Sequence, residues 1–512
     1  MTTTSMETLS PLYAVVDLGS NSFHMLLTRQ LADSVQVVDK VKRKVRLAAG
    51  LSAENILSEQ AMAKGLECLS FFAERLQDIP KENIRIVATA TLRLAHNRAD
   101  FMAKAEQVLG HKVTLLSGIA EAKHIYLGVA HTSYSADKRL VLDIGGASTE
   151  IIVGRGFRVK QAHSLNLGCV TYNQQFFPDG TLTAENFADA ISAAEQTIAT
   201  VKADFCAIGW QCVLGGSGTM QALAEMLIYQ HKPSVLSLNF LYQVQKQLQT
   251  FEHIKDINLP GLSTERSPVI ASGLAILIAL FQQFSIQQLT LSSGALREGL
   301  LYEMLPDSHT TNIRQRTIQA LSQRFHIDQQ HADSVKRQIR TLFTQLKSSW
   351  NLPEGNALEL LLASGDLHEI GLLLEYKYHQ QHSAYILTHA DLAGFSQPDR
   401  QLLVSLVTLY KGDINQVLIE QQSAIEAESA TKLLIILRLA VKLCRRRKDD
   451  KLPNYHIRLN EKALFLSLPK AWLMQHALIH DELKQENDHI ARLGYRLHID
   501  CENELSVLAT PD

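Results

Sequence analysis

Two stretches of the chain share one pattern of apolar and polar positions. Residues 138–154, KRLVLDIGGASTEIIVG, pass from an apolar run into Asp143, then a small-residue turn, then Glu150 and the β-branched Ile151, Ile152 and Val153. Residues 12–27, LYAVVDLGSNSFHMLL, do the same: an apolar run to Asp17, the small polar turn Gly19, Ser20, Asn21 and Ser22, and a second apolar run. β-Branched residues favour strands, and glycine lets backbone pass close to an anion, so each stretch reads as a hairpin whose turn holds a phosphate. The turn leads into a strand, unlike the dinucleotide-binding fold, where it opens a helix. Either hairpin alone is better read as a plain tight turn. Together they indicate an internal duplication and a two-lobed fold with its site in the cleft.

The remaining pattern fills in these lobes. In residues 40–47 the alternation puts Lys40, Lys42, Lys44 and Arg46 on one face of a strand, which reads either as an edge guard or as a stripe that steers an anion. A helical pattern over 58–78 precedes a strand at 84–88, beyond which Arg93 is placed to meet a phosphate. A strand then ends at Ser117 and Gly118, and a helix begins near Ile119 with Glu121 in its first turn. That acid is suited to act as a base or simply to complement the helix dipole. Gly215, Gly216, Ser217, Gly218 and Thr219 form a turn into a helix, which suits either an anion contact or an ordinary βα turn capped by Ser217 or Thr219. Residues 289–305 repeat strand, turn and helix. Between 306 and 314 the pattern changes to long helical periodicity up to about 451, followed by strand, strand, helix and strand from 456 to 500. The expected domains are residues 1–130, 131–306, 307–452 and 453–512.

Composition narrows the class. At 512 residues with 46% apolar and 20% charged residues, the chain is an ordinary globular protein of several domains. A formal charge of −2 excludes a generally basic nucleic-acid binder. Six scattered cysteines without a CxxC pair, and no secretory signal, indicate reduced thiols and a cytoplasmic location. The longest apolar run, 271–281, is too short to cross a membrane. In the helical region, Leu367 to Gly371 reads LHEIG, followed by His379, His382 and His389. No upstream histidine matches, and a structural bundle is the preferred reading there over a metal site. Arg445, Arg446, Arg447 and Lys448 form a basic cluster, either a solvated helix end or a polyanion contact.

Taken together, DLGSNSFHM, ATATLRLA, SGIAEA, DIGGASTE, SLNLGCV and GGSGT resemble the exopolyphosphatase and guanosine pentaphosphate phosphatase family, over essentially the whole chain. The resemblance implies two actin-like α/β lobes of the sugar kinase and heat-shock ATPase type, an all-α HD-like domain, and a small C-terminal α+β domain. It implies Glu121 as catalytic base, assisted by Glu150, with Mg²⁺ held by Asp143 and Glu150. It implies phosphate binding by Gly19, Ser20, Asn21, Ser22, Arg93, Gly145, Gly146, Ala147, Ser148, Thr149, Gly216, Ser217, Gly218 and Thr219. The expected reaction is hydrolysis of the 5′-terminal phosphate of guanosine pentaphosphate in the stringent response, with polyphosphate as the alternative substrate. A homodimer with neither nucleic acid nor membrane as partner is expected. KRKVRLAAGL and RRRKDD favour the guanosine pentaphosphate branch. Two positions depart from the pattern: Ala120 stands where relatives commonly carry an acid, and Glu369 replaces the aspartate of an HD motif, which makes the HD-like region vestigial, a shaper of a substrate channel and a dimer. A sugar kinase or ATPase on the same fold, and a non-hydrolysing alarmone sensor, are the rival readings.

Overall fold

The structure is a computed structural model and describes residues 11–31, 34–52, 54–133, 137–305, 312–447 and 452–502. Lys448 of the basic cluster and the linker residue Pro306 lie outside them. The chain divides into two compact units, Met1–Ile313 and Arg314–Asp512, the break lying within the 306–314 stretch where the pattern changes.

The first unit contains two sheets. β1 (Leu12–Leu18), β2 (Ser22–Leu31), β3 (Ser34–Lys44), β4 (Ile84–Ala88) and β5 (Thr114–Leu115) form a sheet in the order β3-β2-β1-β4-β5. β6 (Lys138–Ile144), β7 (Thr149–Arg155), β8 (Arg158–Leu165), β9 (Cys212–Gly215), β10 (Val235–Leu236) and β11 (Leu289–Leu291) form the second, in the order β10-β11-β9-β6-β7-β8. Without β10, both sheets follow one path: an antiparallel meander of three strands, then two strands added parallel beside the first. The duplication suggested by the hairpins therefore extends through both sheets, as expected of actin-like lobes.

The apolar runs in β1 and β6 are continuous because both faces are covered. In β1, Ala14, Val16 and Leu18 enter the core of the first lobe, while Tyr13 and Val15 face a second core. In β6, Leu140, Leu142 and Ile144 face the second lobe's core and Val141 the shared one. That shared core is filled by helices Gly118–Thr132 and Leu296–Met304, through Ile125, Tyr126, Val129, Leu296 and Leu300. The two helices cross at glycines. A Cβ on Gly128 would lie 2.0 Å from the Ala295 carbonyl oxygen, and one on Gly299 1.8 Å from that of His124. No side chain fits at this crossing.

Two sequence expectations shift locally. β3 is an edge strand, which suits the edge-guard reading, but it ends at Lys44; Arg46 leaves the stripe and takes a left-handed backbone (φ 56°) before a helical turn at Leu47–Gly50. The single helix expected between the second and third strands of the 456–500 stretch is two, Lys470–Gln475 and Ala477–Arg492.

The second unit is helical, built on helices Gln329–Trp350, Asn356–Leu367 and Ala427–Leu443 with others, plus the sheet β12 (His456–Asn460), β13 (Ala463–Pro469) and β14 (Arg496–Glu502). Leu464, Leu466 and Leu468 of β13 join one core with Leu342, Leu360 and Leu437 of the helices, so the small sheet shares the helical core. A buried pair, Arg438 and Glu486, ties the Ala427–Leu443 helix to the Ala477–Arg492 helix. Among the described residues no helix is long and apolar enough to cross a membrane.

Candidate active site

The hairpin register places the predicted acids. Asp17 lies opposite His24 across the first hairpin, and Asp143 opposite Glu150 across the second. The equivalent positions of the two lobes thus carry the same acid but different partners.

The two turns meet. A Cβ on Gly146 would lie 2.7 Å from the Ser20 Cβ and 3.4 Å from the Asn21 nitrogen. Their carbonyls are engaged elsewhere: Ser20 O accepts from Ala48 N at 2.8 Å, Gly145 O from Cys169 N at 2.9 Å, and Gly146 O from Val170 N at 2.8 Å. In a trans peptide the next N–H points opposite to the carbonyl, so the amides of Asn21, Gly146 and Ala147 turn the other way. Amides held like this can receive an anion, as the resemblance implies for these turns.

Glu121 sits in the first turn of the Gly118–Thr132 helix, whose N-cap Ser117 accepts from Ala120 N at 3.2 Å. It is buried, and Arg93 Nη1 donates to its Oε2. Arg93 also donates to the Leu116 carbonyl at 3.2 Å, and its Nη2 lies 3.9 Å from Glu150 Oε1. The arginine expected at a phosphate is thus engaged by two acids. Glu150, also buried, accepts from the hydroxyls of Ser148 and Ser164 at 2.7 Å each. Thr149 Oγ1 donates to the Leu167 carbonyl, so its hydroxyl supports the loop at 167.

The electrostatics are those of crowded acids. Burial pushes Asp17 up to about 7, opposed by the nearby Arg297 cation and assisted by the charges of Glu121, Asp143 and Glu298. Burial likewise lifts Asp143 to about 7, with Glu121 raising it further and Arg297 lowering it. Burial raises Glu121 while Arg93 pulls it down, and burial with the Glu121 charge raises Glu150 well above the usual carboxylate range. Asp17 Oδ1 is buried with no hydrogen-bond partner. A set of hard oxygen donors with an unpartnered carboxylate oxygen fits a small divalent cation such as Mg²⁺.

Cations flank the acids. Burial, followed by the Arg297, Lys42 and Arg266 charges, depresses His24 to about 3, so it is neutral and its Nδ1 lies 3.3 Å from Arg297 Nη1. Lys42 is opposite His24 on β3. Lys44 donates to the Glu265 carbonyl at 3.1 Å, and a recess beside it is lined by Asn21, Arg46, Asn173 and Glu265.

At the GGSGT turn, Ser217 is the N-cap of helix Gly218–Tyr229, accepting from Met220 N at 3.4 Å. Thr219 packs against Gly273, where a Cβ would lie 2.4 Å from its Oγ1. The Arg266 guanidinium lies against Gly218, 2.2 Å from a would-be Cβ. Gly216 borders the acids, its Cβ position lying 3.8 Å from Asp143 Oδ2. The turn therefore combines an ordinary helix cap with a backbone wall beside Asp143.

Sequence reasoning left Asp17 outside the metal set and did not single out His24, Ser164, Arg266, Arg297 or Glu298. Asp17 was findable from its equivalence to Asp143. Arg297 and Glu298 follow the Ser-Ser-Gly turn at 292–294, the third small-residue turn leading into a helix, and that repetition was the available signal.

In the second unit the three described arginines of the basic cluster are paired: Arg445 with Glu482 at 3.3 Å, Arg446 with His476, and Arg447 with Glu369 at 2.6 Å. This favours their structural reading. His379 is held by the Tyr376 carbonyl and the Tyr410 hydroxyl, at 2.7 and 2.6 Å, and does not join Glu369. The expectation that LHEIG has no matching upstream histidine is corrected: the Gln329–Trp350 helix brings His331 beside it, its Nε2 3.9 Å from Glu369 Oε1.

Comparison with known proteins agrees with this arrangement. Residues 26–308 match the Ppx/GppA phosphatase family, and residues 313–487 match domain III of Ppx/GppA phosphatases. The chain is 47% identical over 485 residues to the guanosine-5′-triphosphate,3′-diphosphate pyrophosphatase of Pseudoalteromonas translucida, covering 95% of this chain and 97% of the relative. It is 45% identical over 497 residues to the protein of the same name from Vibrio cholerae, covering 97% and 100%. Among solved structures, an exopolyphosphatase from Cytophaga hutchinsonii shares the fold at 23% identity and a TM-score of 0.52, over 57% of this chain and 97% of that one. With a family match over more than half its length and relatives this similar from end to end, the chain belongs to the Ppx/GppA phosphatase family.

Proposed function

We propose that the protein hydrolyses the 5′-terminal phosphate of guanosine pentaphosphate, releasing inorganic phosphate and guanosine tetraphosphate, as a cytoplasmic enzyme of the stringent response. The observation that carries this reading is Glu121: a carboxylate buried in a helical first turn, fastened by Arg93, beside Asp143 and Glu150 and near two opposed glycine turns. The relatives' shared name supplies the substrate class.

The terminal phosphate is held by the amides of Asn21, Gly146 and Ala147, while Lys42, Arg266 and Arg297 face its remaining charge. Arg93 occupies Glu121 Oε2, leaving Oε1 to orient a water and accept its proton as that water attacks phosphorus in line with the leaving oxygen. Ser148 and Ser164 hold Glu150 in place, which orients the same water. Asp17, Asp143 and Glu150 would hold Mg²⁺, which when bound neutralises charge on the phosphate oxygens. Positioning and charge compensation supply most of the acceleration, since no covalent intermediate is required.

The deciding experiment measures phosphate release from guanosine pentaphosphate without any acceptor, beside release from long-chain polyphosphate. A higher specificity constant for the nucleotide supports this reading. Processive shortening of polyphosphate at the higher constant supports the second, which the line of cations along Lys42, Lys44 and Arg266 also suits. A strict requirement for a sugar or glycerol acceptor would overturn both. In the same reading the second unit is an HD-like domain that supports a homodimer, which sedimentation of the full chain checks.

A further inference from the structure

The second unit contains a polar cluster that the phosphatase reading does not use. His368 is buried at the end of helix Asn356–Leu367, with an exposure of 1%. Its Nδ1 lies 2.8 Å from the Gly365 carbonyl, an oxygen that can only accept, so the proton sits on Nδ1 and the lone pair on Nε2. That Nε2 is buried with no hydrogen-bond partner. His331, 4% exposed, stands beside it with ring centroids 5.6 Å apart and an unpartnered Nδ1. One ligand atom each from His331, His368 and Glu369 lie within 4.8 Å of one another.

An imidazole whose outer N–H is fixed by a carbonyl, and whose inner nitrogen is unused, is the arrangement that orients metal-binding histidines. Two imidazole nitrogens and one carboxylate suit a borderline divalent ion such as Zn²⁺ or Co²⁺ better than Mg²⁺. A cation already occupies part of this cluster: Arg447 binds Glu369 through Nη2 at 2.6 and 2.9 Å and Asp328 through Nη1 at 3.1 Å. Its side chain is 43% exposed, so it can leave into solvent without crossing packed core. We propose that His331, His368 and Glu369 form a transition-metal site that Arg447 holds shut.

The guanidinium and the metal ion compete for one carboxylate, so removing the first strengthens binding of the second. Burial of the unpartnered His368 Nε2 is offset only when the metal is present, because an unpartnered buried nitrogen is costly.

The test is a Co²⁺ titration of the full, metal-stripped chain, read by the visible ligand-field absorption of the ion, with Mg²⁺ in excess to fill the acid cluster of the first unit. Arg447→Ala is expected to bind one equivalent about tenfold tighter than the parent chain, a difference of about 1.4 kcal/mol. Adding His368→Asn or, separately, His331→Gln to that variant is expected to remove the absorption, with circular dichroism showing that each remains folded. Equal Co²⁺ affinity with and without Arg447 would overturn the gating. Absorption that survives both histidine substitutions, or no Co²⁺ uptake in any variant, would overturn the site.

Discussion

Arg93 and Glu121 form a half-buried ion pair in which Nη1 of the arginine donates to Oε2 of the acid, although the two residues come from different helices. The pair does two things at once. It fixes the carboxylate's orientation, and it opposes the burial that would otherwise protonate it.

Glu121→Gln keeps the hydrogen-bonding shape but removes the basic oxygen. Turnover of guanosine pentaphosphate is expected to fall about 10²-fold or more while substrate affinity changes little. Steady-state phosphate release and equilibrium binding check this together. An unchanged rate would mean that Glu121 is not the base, and no phosphate release from the parent chain itself would return the protein to the sensor reading.

Arg93→Met takes away the charge that pulls Glu121 down. The acid then protonates at higher pH, so the acidic limb of the pH–rate profile is expected to move toward alkaline pH, with Arg93→Lys moving it less. A profile that loses height without moving would assign Arg93 to substrate instead.

Asp17 and Asp143, lifted to about 7 in the folded protein, hold more protons folded than unfolded between their ordinary range near 4 and pH 7. Stability therefore falls as pH rises through that window in metal-free protein, and the full cost is present above pH 7. Melting curves in chelator are expected to show this contribution. Mg²⁺ at pH 8 is expected to raise the melting temperature by binding the ionised cluster, and Asp143→Asn to raise the metal-free value while abolishing most of the Mg²⁺ gain.

Lys42→Glu with Lys44→Glu places acids on the edge strand that carries the cations facing substrate. KM is expected to rise and to lose much of its salt dependence, with kcat nearly preserved. An unchanged salt dependence would leave these lysines as guards of the β3 edge.

Gly299→Ala puts a methyl 1.8 Å from the His124 carbonyl oxygen at the helix crossing. The helices must separate, at a cost of about 1–3 kcal/mol, and carry Arg297 and Glu298 away from the aspartates. Denaturant unfolding and activity should fall together.

Much of this was legible in the chain itself. Strand periodicity on either side of Asp17 and Asp143 located both hairpins, and the serine at 117 placed Glu121 in a first turn. Arg46 was misplaced because alternation cannot see that β3 stops at Lys44 and that Arg46 itself takes a left-handed backbone. His331 was missed because it stands a whole helix away from LHEIG, and nothing local marks it as a neighbour.

By itself, then, the sequence determined the local pieces: two aspartate-bearing hairpins, small turns where backbone must come close, and an acid at a helix start. These depend on periodicity and backbone sterics, which act between neighbours in the chain. Only the tertiary structure decided that Arg93 engages Glu121 and Glu150, that Arg297 and Glu298 reach Asp17 and Asp143 through a glycine crossing, and that Arg447 covers Glu369. Desolvation and through-space charge set what each of those groups can do, and both are properties of what surrounds a residue once the chain has folded.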